Sequence, residues 1–176
     1  MNVAFIGLGA MGRGMSARLI GAGYAVSGYD VVPGACDALA KAGGRAAANA
    51  AEACRGAEAL IVMVFDAEQV ETVLFGPNGA AETLPRGALV IMSVTMTPAQ
   101  SRAFAARLAA RDCPMLDAPM SGGSQAAAEG QLSFMASGSD EAFAKAEPLL
   151  APMAKRVWRI GAECGLGSTM KMVHQI

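Results

Sequence analysis

Short apolar runs alternate along this chain with longer segments in which apolar residues recur every three or four positions. The short runs predict β-strands at residues 3–6, 24–29, 59–65, 88–92, 115–116, 132–136 and 156–160. The segments between them predict helices at residues 11–19, 33–41, about 70–74, 98–111 and 140–150, and from about residue 169 onward. Strands joined by crossover helices predict an α/β, Rossmann-like fold, with a doubly wound, mainly parallel sheet and helices on both faces.

Composition and charge narrow the class of protein. The 176 residues are 53% hydrophobic, and 14 basic against 15 acidic side chains leave a net charge of −1, so no basic field is available for nucleic acid. The longest apolar run, residues 59–65, is far too short to span a membrane. One histidine and four scattered cysteines predict no metal site, and they indicate a reducing, cytoplasmic compartment. The cysteines are Cys36, Cys54, Cys113 and Cys164.

A glycine-rich turn follows the first predicted strand. It carries the GxGxxG spacing between a strand and a helix, which is the context that gives this pattern meaning. We expect Gly7 to allow the tight turn, Gly9 to let backbone approach a pyrophosphate, and Gly12 to let the helix pack closely on the strand. The helix would then offer free N–H groups to the phosphates. The predicted cofactor contacts in this turn are Gly7, Leu8, Gly9, Ala10, Met11 and Gly12.

An acidic residue closes the second predicted strand. Asp30 lies 18 residues after Gly12, where a carboxylate can accept hydrogen bonds from both hydroxyls of an adenosine ribose. The same charge repels a 2′-phosphate, and Val31 and Val32 provide no cation to bind one. The expected cofactor is therefore NAD rather than NADP.

Two later segments carry candidate substrate groups. Ser121, Gly122 and Gly123 follow a strand and offer a hydroxyl and approachable N–H groups for a carboxylate, although a surface turn uses the same residue types. Further on, Lys171, His174 and Gln175 have i, i+3 and i+4 spacing, which places them on one helix face. Three polar side chains in one stripe favour a polar substrate, and a solvated helix face is the other interpretation.

The chain resembles the β-hydroxyacid dehydrogenases, the group that includes 3-hydroxyisobutyrate dehydrogenase and phosphogluconate dehydrogenase. The resemblance covers the whole chain, and the KMVHQ ending is most similar to the L-threonate dehydrogenase branch. Four ordered motifs carry it: GLGAMGRGM at 7–15, a Ser/Thr-Pro segment at 95–98, DAPMSGGSQAAAEGQL at 117–132 and GLGSTMKMVHQ at 165–175.

The resemblance implies roles for individual residues. Lys171 is the expected acid/base, and Ser121 to Gly123 are expected to hold the substrate carboxylate. Thr95 and the loop of Val64, Phe65 and Asp66 are expected to touch the cofactor, although Phe65-Asp66 departs from the asparagine-containing loop common in the family. Gln175 replaces the usual asparagine and, with His174, would orient substrate hydroxyls. The implied reaction is NAD-dependent oxidation of a hydroxyl on a small hydroxy acid, similar to L-threonate or 3-hydroxyisobutyrate, with hydride passing to nicotinamide C4.

The resemblance also implies that more chain follows. We expect residues 1–163 to form the NAD-binding domain and residues 164–176 to begin an interdomain helix, ahead of an all-helical domain that closes the pocket and forms a homodimer or tetramer. This chain would then be a fragment with weak or no activity, exposing an apolar patch where that domain docks. Two other functions stay open: a non-catalytic dinucleotide-binding module, and an NADP-linked semialdehyde or imine reductase of the same fold.

Overall fold

The computed structural model describes residues 1–175, which contain nine strands and eight α-helices. The strands are β1 (Asn2–Ile6), β2 (Ala25–Tyr29), β3 (Arg45–Ala46), β4 (Ala59–Val62), β5 (Leu89–Met92), β6 (Met115–Asp117), β7 (Met120–Ser121), β8 (Leu132–Ser137) and β9 (Ala154–Gly161). The helices are α1 (Ala10–Gly21), α2 (Ala35–Lys41), α3 (Ala50–Cys54), α4 (Ala67–Phe75), α5 (Pro98–Ala109), α6 (Gly123–Glu129), α7 (Asp140–Leu150) and α8 (Leu166–His174).

All nine strands belong to one sheet. Its order is β3-β2-β1-β4-β5-β6-β8, with β7 and β9 also paired to β8. The strands from β3 to β6 are parallel to one another. β8 runs antiparallel to β6 and β7, and β9 runs parallel to β8. The predicted Rossmann-like, mainly parallel α/β fold is confirmed, with an antiparallel end that the sequence pattern did not indicate.

Both faces of the sheet are covered by helices. Along β1, Val3 and Phe5 belong to one buried cluster, while Ala4 and Ile6 belong to a second cluster on the other face. All four side chains are almost completely buried. A strand that is apolar at every position is typical of a parallel sheet between two helical layers. Within residues 1–175, no helix combines the length and the apolar composition needed to cross a bilayer.

Several element bounds differ from those predicted. The strand predicted over residues 59–65 ends at Val62, which leaves residues 63–66 as a loop. α8 begins at Leu166 rather than near residue 169, and β9 extends beyond residues 156–160 at both ends. α6 was not predicted, because its alanines give no apolar periodicity. The predicted domain division precedes α8, and Ile176 lies outside the described residues.

α1 and α6 approach each other through a glycine that the sequence motif did not explain. A Cβ on Gly14 would lie 2.7 Å from the backbone nitrogen of Ala128 and 2.8 Å from the carbonyl carbon of Ala127. Both distances are shorter than a real Cβ contact. The helix that starts at the glycine-rich turn therefore touches the backbone at the end of α6, and α6 follows Gly122 directly.

This close approach predicts opposite signs for two glycine-to-alanine substitutions in one helix. Alanine ordinarily stabilises a helix relative to glycine by up to about 1 kcal/mol. A Cβ on Gly21 meets nothing within 4 Å, so Gly21→Ala should follow that rule. Gly14→Ala should instead lower the free energy of unfolding by ~1–3 kcal/mol, because the new methyl group overpacks against α6.

Urea denaturation of both variants measures this difference. Equal stabilisation by Gly14→Ala and Gly21→Ala would show that α6 is not held against α1 as described.

Candidate active site

The turn between β1 and α1 is built around three glycines. Gly7 has a φ of +94°, and a Cβ there would lie 2.1 Å from the carbonyl oxygen of Met63. A Cβ on Gly12 would lie 1.9 Å from the Gly7 oxygen and 3.1 Å from the Phe5 ring, so α1 approaches both the turn and β1. A Cβ on Gly9 would meet nothing within 4 Å. Gly9 therefore faces open space in which another molecule can approach the backbone.

The amino end of α1 is available to an anion. Gly9 is the N-cap residue and has no side chain to accept a hydrogen bond from the first turn. Gly9 and Ala10 are exposed, and Met11 is half-buried. The first N–H groups of a helix have no partner within the helix and carry partial positive charge. This arrangement suits a phosphate.

Asp30 joins two loops through its carboxylate. One carboxylate oxygen accepts a hydrogen bond from the Leu8 N–H at 2.6 Å, and the other accepts one from the Val32 N–H at 2.8 Å. The predicted ribose carboxylate therefore also stabilises the glycine-rich turn. The Leu8 side chain is buried in the core, so only its backbone faces this site.

A cleft of about 900 Å³ opens beside the glycine-rich turn. It brings together the predicted cofactor residues other than Leu8, and Gln175 also lines it. These residues come from loops after different strands, which meet at the carboxyl edge of the parallel sheet, where ligands bind in this fold. The predicted cofactor residues in the cleft are Gly7, Gly9, Ala10, Met11, Gly12, Asp30, Val64, Phe65, Asp66 and Thr95.

The loop after β4 holds an exposed aromatic ring in this cleft. Asp66 caps α4 by accepting a hydrogen bond from the Gln69 N–H at 2.9 Å, and the Gln69 side-chain oxygen accepts one from the Phe65 N–H at 3.0 Å. Together these two hydrogen bonds fix the backbone at Phe65, whose side chain is 84% exposed. Val31, after β2, is 73% exposed. Since β2 and β4 flank β1, apolar side chains stand on both sides of the glycine-rich turn.

The two candidate substrate segments meet. Lys171 is half-buried on α8, and its Nζ donates a hydrogen bond to the Met120 carbonyl at 2.8 Å. Met120 directly precedes Ser121, which is half-buried, and the exposed Gly122 and Gly123. Both glycines have positive φ, +133° and +73°. The Nζ atom of Lys171 is therefore placed beside the backbone of the serine-glycine segment.

The predicted polar stripe on α8 is divided between two surroundings. Lys171 contacts the Met120 carbonyl, whereas Gln175, one turn later, lines the cleft with Thr95. The His174 side chain is exposed. α8 thus passes from the serine-glycine segment towards the cleft.

A buried carboxylate anchors the start of α8. Asp117 is 0% exposed. One of its oxygens accepts hydrogen bonds from the N–H groups of Gly165 and Ser168, each at 2.9 Å, and the other accepts one from the Ser168 hydroxyl at 2.9 Å. The Ser137 hydroxyl oxygen accepts a hydrogen bond from the Gly167 N–H at 2.9 Å. The amino end of α8 is therefore capped by the sheet.

Sequence reasoning did not assign roles to Asp117, Gln69 and Gly14. Two of these had a readable signal. Asp66 and Gln69 have capping-box spacing at the start of a helix. Asp117 is a charged residue at the end of an apolar strand, and a buried charge requires hydrogen-bond donors. The contact of Gly14 with α6 had no local signal.

The cysteine nearest the lysine helix is a poor nucleophile. Burial and the neighbouring Asp117 carboxylate raise the pKa of Cys164 to about 11. Burial raises the pKa of Cys54 to about 12. Both thiols are therefore protonated at neutral pH.

Solved structures of hydroxyacid dehydrogenases are similar to this chain in fold and in sequence. A 3-hydroxyisobutyrate dehydrogenase from Salmonella typhimurium has a TM-score of 0.95 and 41% identity, covering 99% of this chain and 61% of its own. A 3-hydroxyisobutyrate dehydrogenase from Mycobacterium tuberculosis, solved with L-serine, has a TM-score of 0.92 and 35% identity, covering 98% of this chain and 58% of its own.

Proteins related in sequence are also hydroxyacid dehydrogenases. An L-threonate dehydrogenase from Escherichia coli K12 is 44% identical over 176 residues, which are 99% of this chain and 58% of that protein. The chain thus spans a little over half the length of such relatives. The resemblance to hydroxyacid dehydrogenases and the choice of NAD are confirmed. Residues 2–161 match the NAD-binding domain of 6-phosphogluconate dehydrogenase, and the chain belongs to that family.

Proposed function

We propose that this chain is the NAD-binding part of an enzyme that oxidises a hydroxyl group on a small hydroxy acid, with Lys171 as acid/base. L-threonate and 3-hydroxyisobutyrate are the substrates we favour, after the relatives that carry those names. The observation that carries the proposal is the hydrogen bond from Lys171 to the Met120 carbonyl, because it unites two motifs 51 residues apart.

The cleft fits NAD. A pyrophosphate suits the open space at Gly9 and the uncapped amino end of α1. An adenosine ribose suits the Asp30 carboxylate beside them. Phe65 and Val31 offer apolar surface to an adenine ring. When bound, NAD supplies a hydride acceptor at nicotinamide C4.

The side chains of α8 and the serine-glycine segment would act on the substrate. Lys171 takes the hydroxyl proton as the C–H hydride leaves, so the alcohol loses two electrons and becomes a carbonyl. Ser121, Gly122 and Gly123 bind the substrate carboxylate through hydroxyl and backbone N–H groups. His174 and Gln175 orient the remaining substrate hydroxyls.

Two features favour this function over its rivals. An NADP-linked semialdehyde reductase needs a cation for the 2′-phosphate, and the residues after Asp30 are Val31 and Val32. A non-catalytic module or an imine reductase would not need the lysine that meets the serine-glycine segment.

The proposal includes a further domain in the full-length protein. Exposed apolar residues on α8, namely Leu166, Met170, Met172 and Val173, suit docking of a further, helical domain. That domain would close the substrate pocket and mediate a homodimer or tetramer in the cytoplasm. Residues 1–176 alone would then bind NAD but turn over weakly, since water reaches the reacting atoms.

Removing the Asp30 charge should relax the preference for NAD. In Asp30→Asn the ratio of the NADP dissociation constant to that of NAD should fall at least about tenfold, ~1.4 kcal/mol, because the 2′-phosphate no longer meets a carboxylate. Titration with both nucleotides measures this ratio. Asp37→Asn, an exposed acid of α2 outside the cleft, is the matched control and should leave the ratio unchanged. An equal ratio of dissociation constants in both variants would show that Asp30 does not face the ribose of the cofactor.

Lys171→Met should abolish acid/base chemistry without affecting the cofactor cleft. In the full-length protein we expect kcat to fall ~100-fold or more, while the dissociation constant of NAD stays within about twofold. Lys155→Met, an exposed lysine of β9, is the control and should keep full turnover. Steady-state kinetics and NAD titration provide both readouts. Wild-type turnover in Lys171→Met would refute the acid/base assignment.

A further inference from the structure

We infer that Asp117 is a positioning residue for Lys171, which it places by fixing the start of α8 against the sheet. This inference rests on the proposed acid/base role of Lys171. Asp117 itself is fully buried and faces the first turn of α8, so it does not meet the substrate.

The hydrogen bonds of Asp117 define where α8 begins. Its two oxygens accept three bonds from Gly165 and Ser168, at 2.9 Å each. The Gly165 bond holds the N-cap residue, and the two Ser168 bonds hold the first turn. Gly165 and Ser168 are three residues apart and therefore face the same side of the helix, so these bonds fix both the height and the rotation of α8 over Asp117.

A glycine keeps α8 close to this carboxylate. A Cβ on Gly167 would lie 2.4 Å from the Met135 carbonyl oxygen and 2.8 Å from the Asp117 carbonyl oxygen. The Gly167 N–H also donates to the Ser137 hydroxyl. β6 and β8 therefore both touch the first turn, and little space remains for the helix to shift.

The same short segment holds α8 at a second point. Asp117 binds the helix at residues 165–168, and Met120, three residues later, accepts the Lys171 hydrogen bond. Residues 165 and 171 are about 9 Å apart along the helix, at 1.5 Å per residue. Residues 117–120 thus contact both ends of the part of α8 that leads to Lys171. A shift of the first turn moves the Lys171 amine relative to Ser121.

Two measurements on the full-length protein separate positioning from simple stabilisation. The first is the single-turnover rate constant for NADH formation with L-threonate or 3-hydroxyisobutyrate, which does not depend on the fraction of folded enzyme. The second is the rate at which Lys171 is acetylated by an N-hydroxysuccinimide ester, followed by mass spectrometry with the exposed Lys155 as internal reference. The second readout needs no activity.

The variants are Asp117→Ala, which removes every acceptor, and Asp117→Asn, which keeps one oxygen and removes the charge. Ser139→Ala is the matched control, because Ser139 caps α7 by accepting a hydrogen bond from the Ala142 N–H at 3.2 Å, away from the site. We expect Asp117→Ala to lower the rate constant at least about tenfold and to raise Lys171 acetylation several-fold. For Asp117→Asn, both the rate constant and the Lys171 acetylation rate should lie between those of the wild type and Asp117→Ala. This second variant keeps the test available if Asp117→Ala does not fold. Ser139→Ala should change neither quantity.

Each contrary outcome has a distinct meaning. A smaller amplitude of single-turnover NADH formation with an unchanged rate constant would show that Asp117 only stabilises the fold. Unchanged Lys171 acetylation would show that Asp117 does not position the amine. Either result overturns the inference. If Lys171→Met retains turnover, or neither substrate is oxidised, the proposed function fails. Faster Lys171 acetylation in the Asp117 variants would then still establish that Asp117 holds the amine.

Discussion

The Asp117 carboxylate imposes a condition that two parts of the chain must satisfy together. A charge buried in the interior costs several kcal/mol unless hydrogen-bond donors surround it. The donors come from Gly165 and Ser168, about 50 residues further along the chain, and the positive end of the helix dipole adds to them. The carboxyl end of β6 and the amino end of α8 are therefore stable only in contact. The lysine of α8 and the serine-glycine segment after β6 share that anchor.

Close backbone contacts give the cofactor side of the site its shape. α1 touches the glycine-rich turn at Gly12 and the end of α6 at Gly14, so one helix contacts two elements that flank the site. α6 in turn begins at Gly123, directly after Gly122. The predicted phosphate site and the predicted carboxylate site are thus joined through α1, which approaches the backbone of both elements closely at its glycines. A methyl group at either position of α1 would separate them.

Local patterns predicted most of the fold and many of the residues that line the candidate site. The strands, the glycine-rich turn and Asp30 follow from apolar periodicity and spacing, and Lys171 follows from a motif. The predicted start of α8 was wrong, because the hydrogen bonds that cap this helix come from Asp117, a distant residue that no local rule identifies. β8 was not predicted to be antiparallel, since the direction of a strand depends on how the chain returns to the sheet. The second role of Asp30, its hydrogen bond to Leu8, likewise depends on two loops that meet only in the folded protein.

The most direct measurement is a crystal structure of the full-length protein with NAD and L-threonate or 3-hydroxyisobutyrate bound. We expect the Lys171 amine to leave the Met120 carbonyl and to lie roughly 3 Å from the substrate hydroxyl oxygen, with the substrate carboxylate on the backbone of residues 121–123. An amine that points to solvent, or a substrate bound away from residues 121–123, would contradict the assignment of Lys171 as the acid/base.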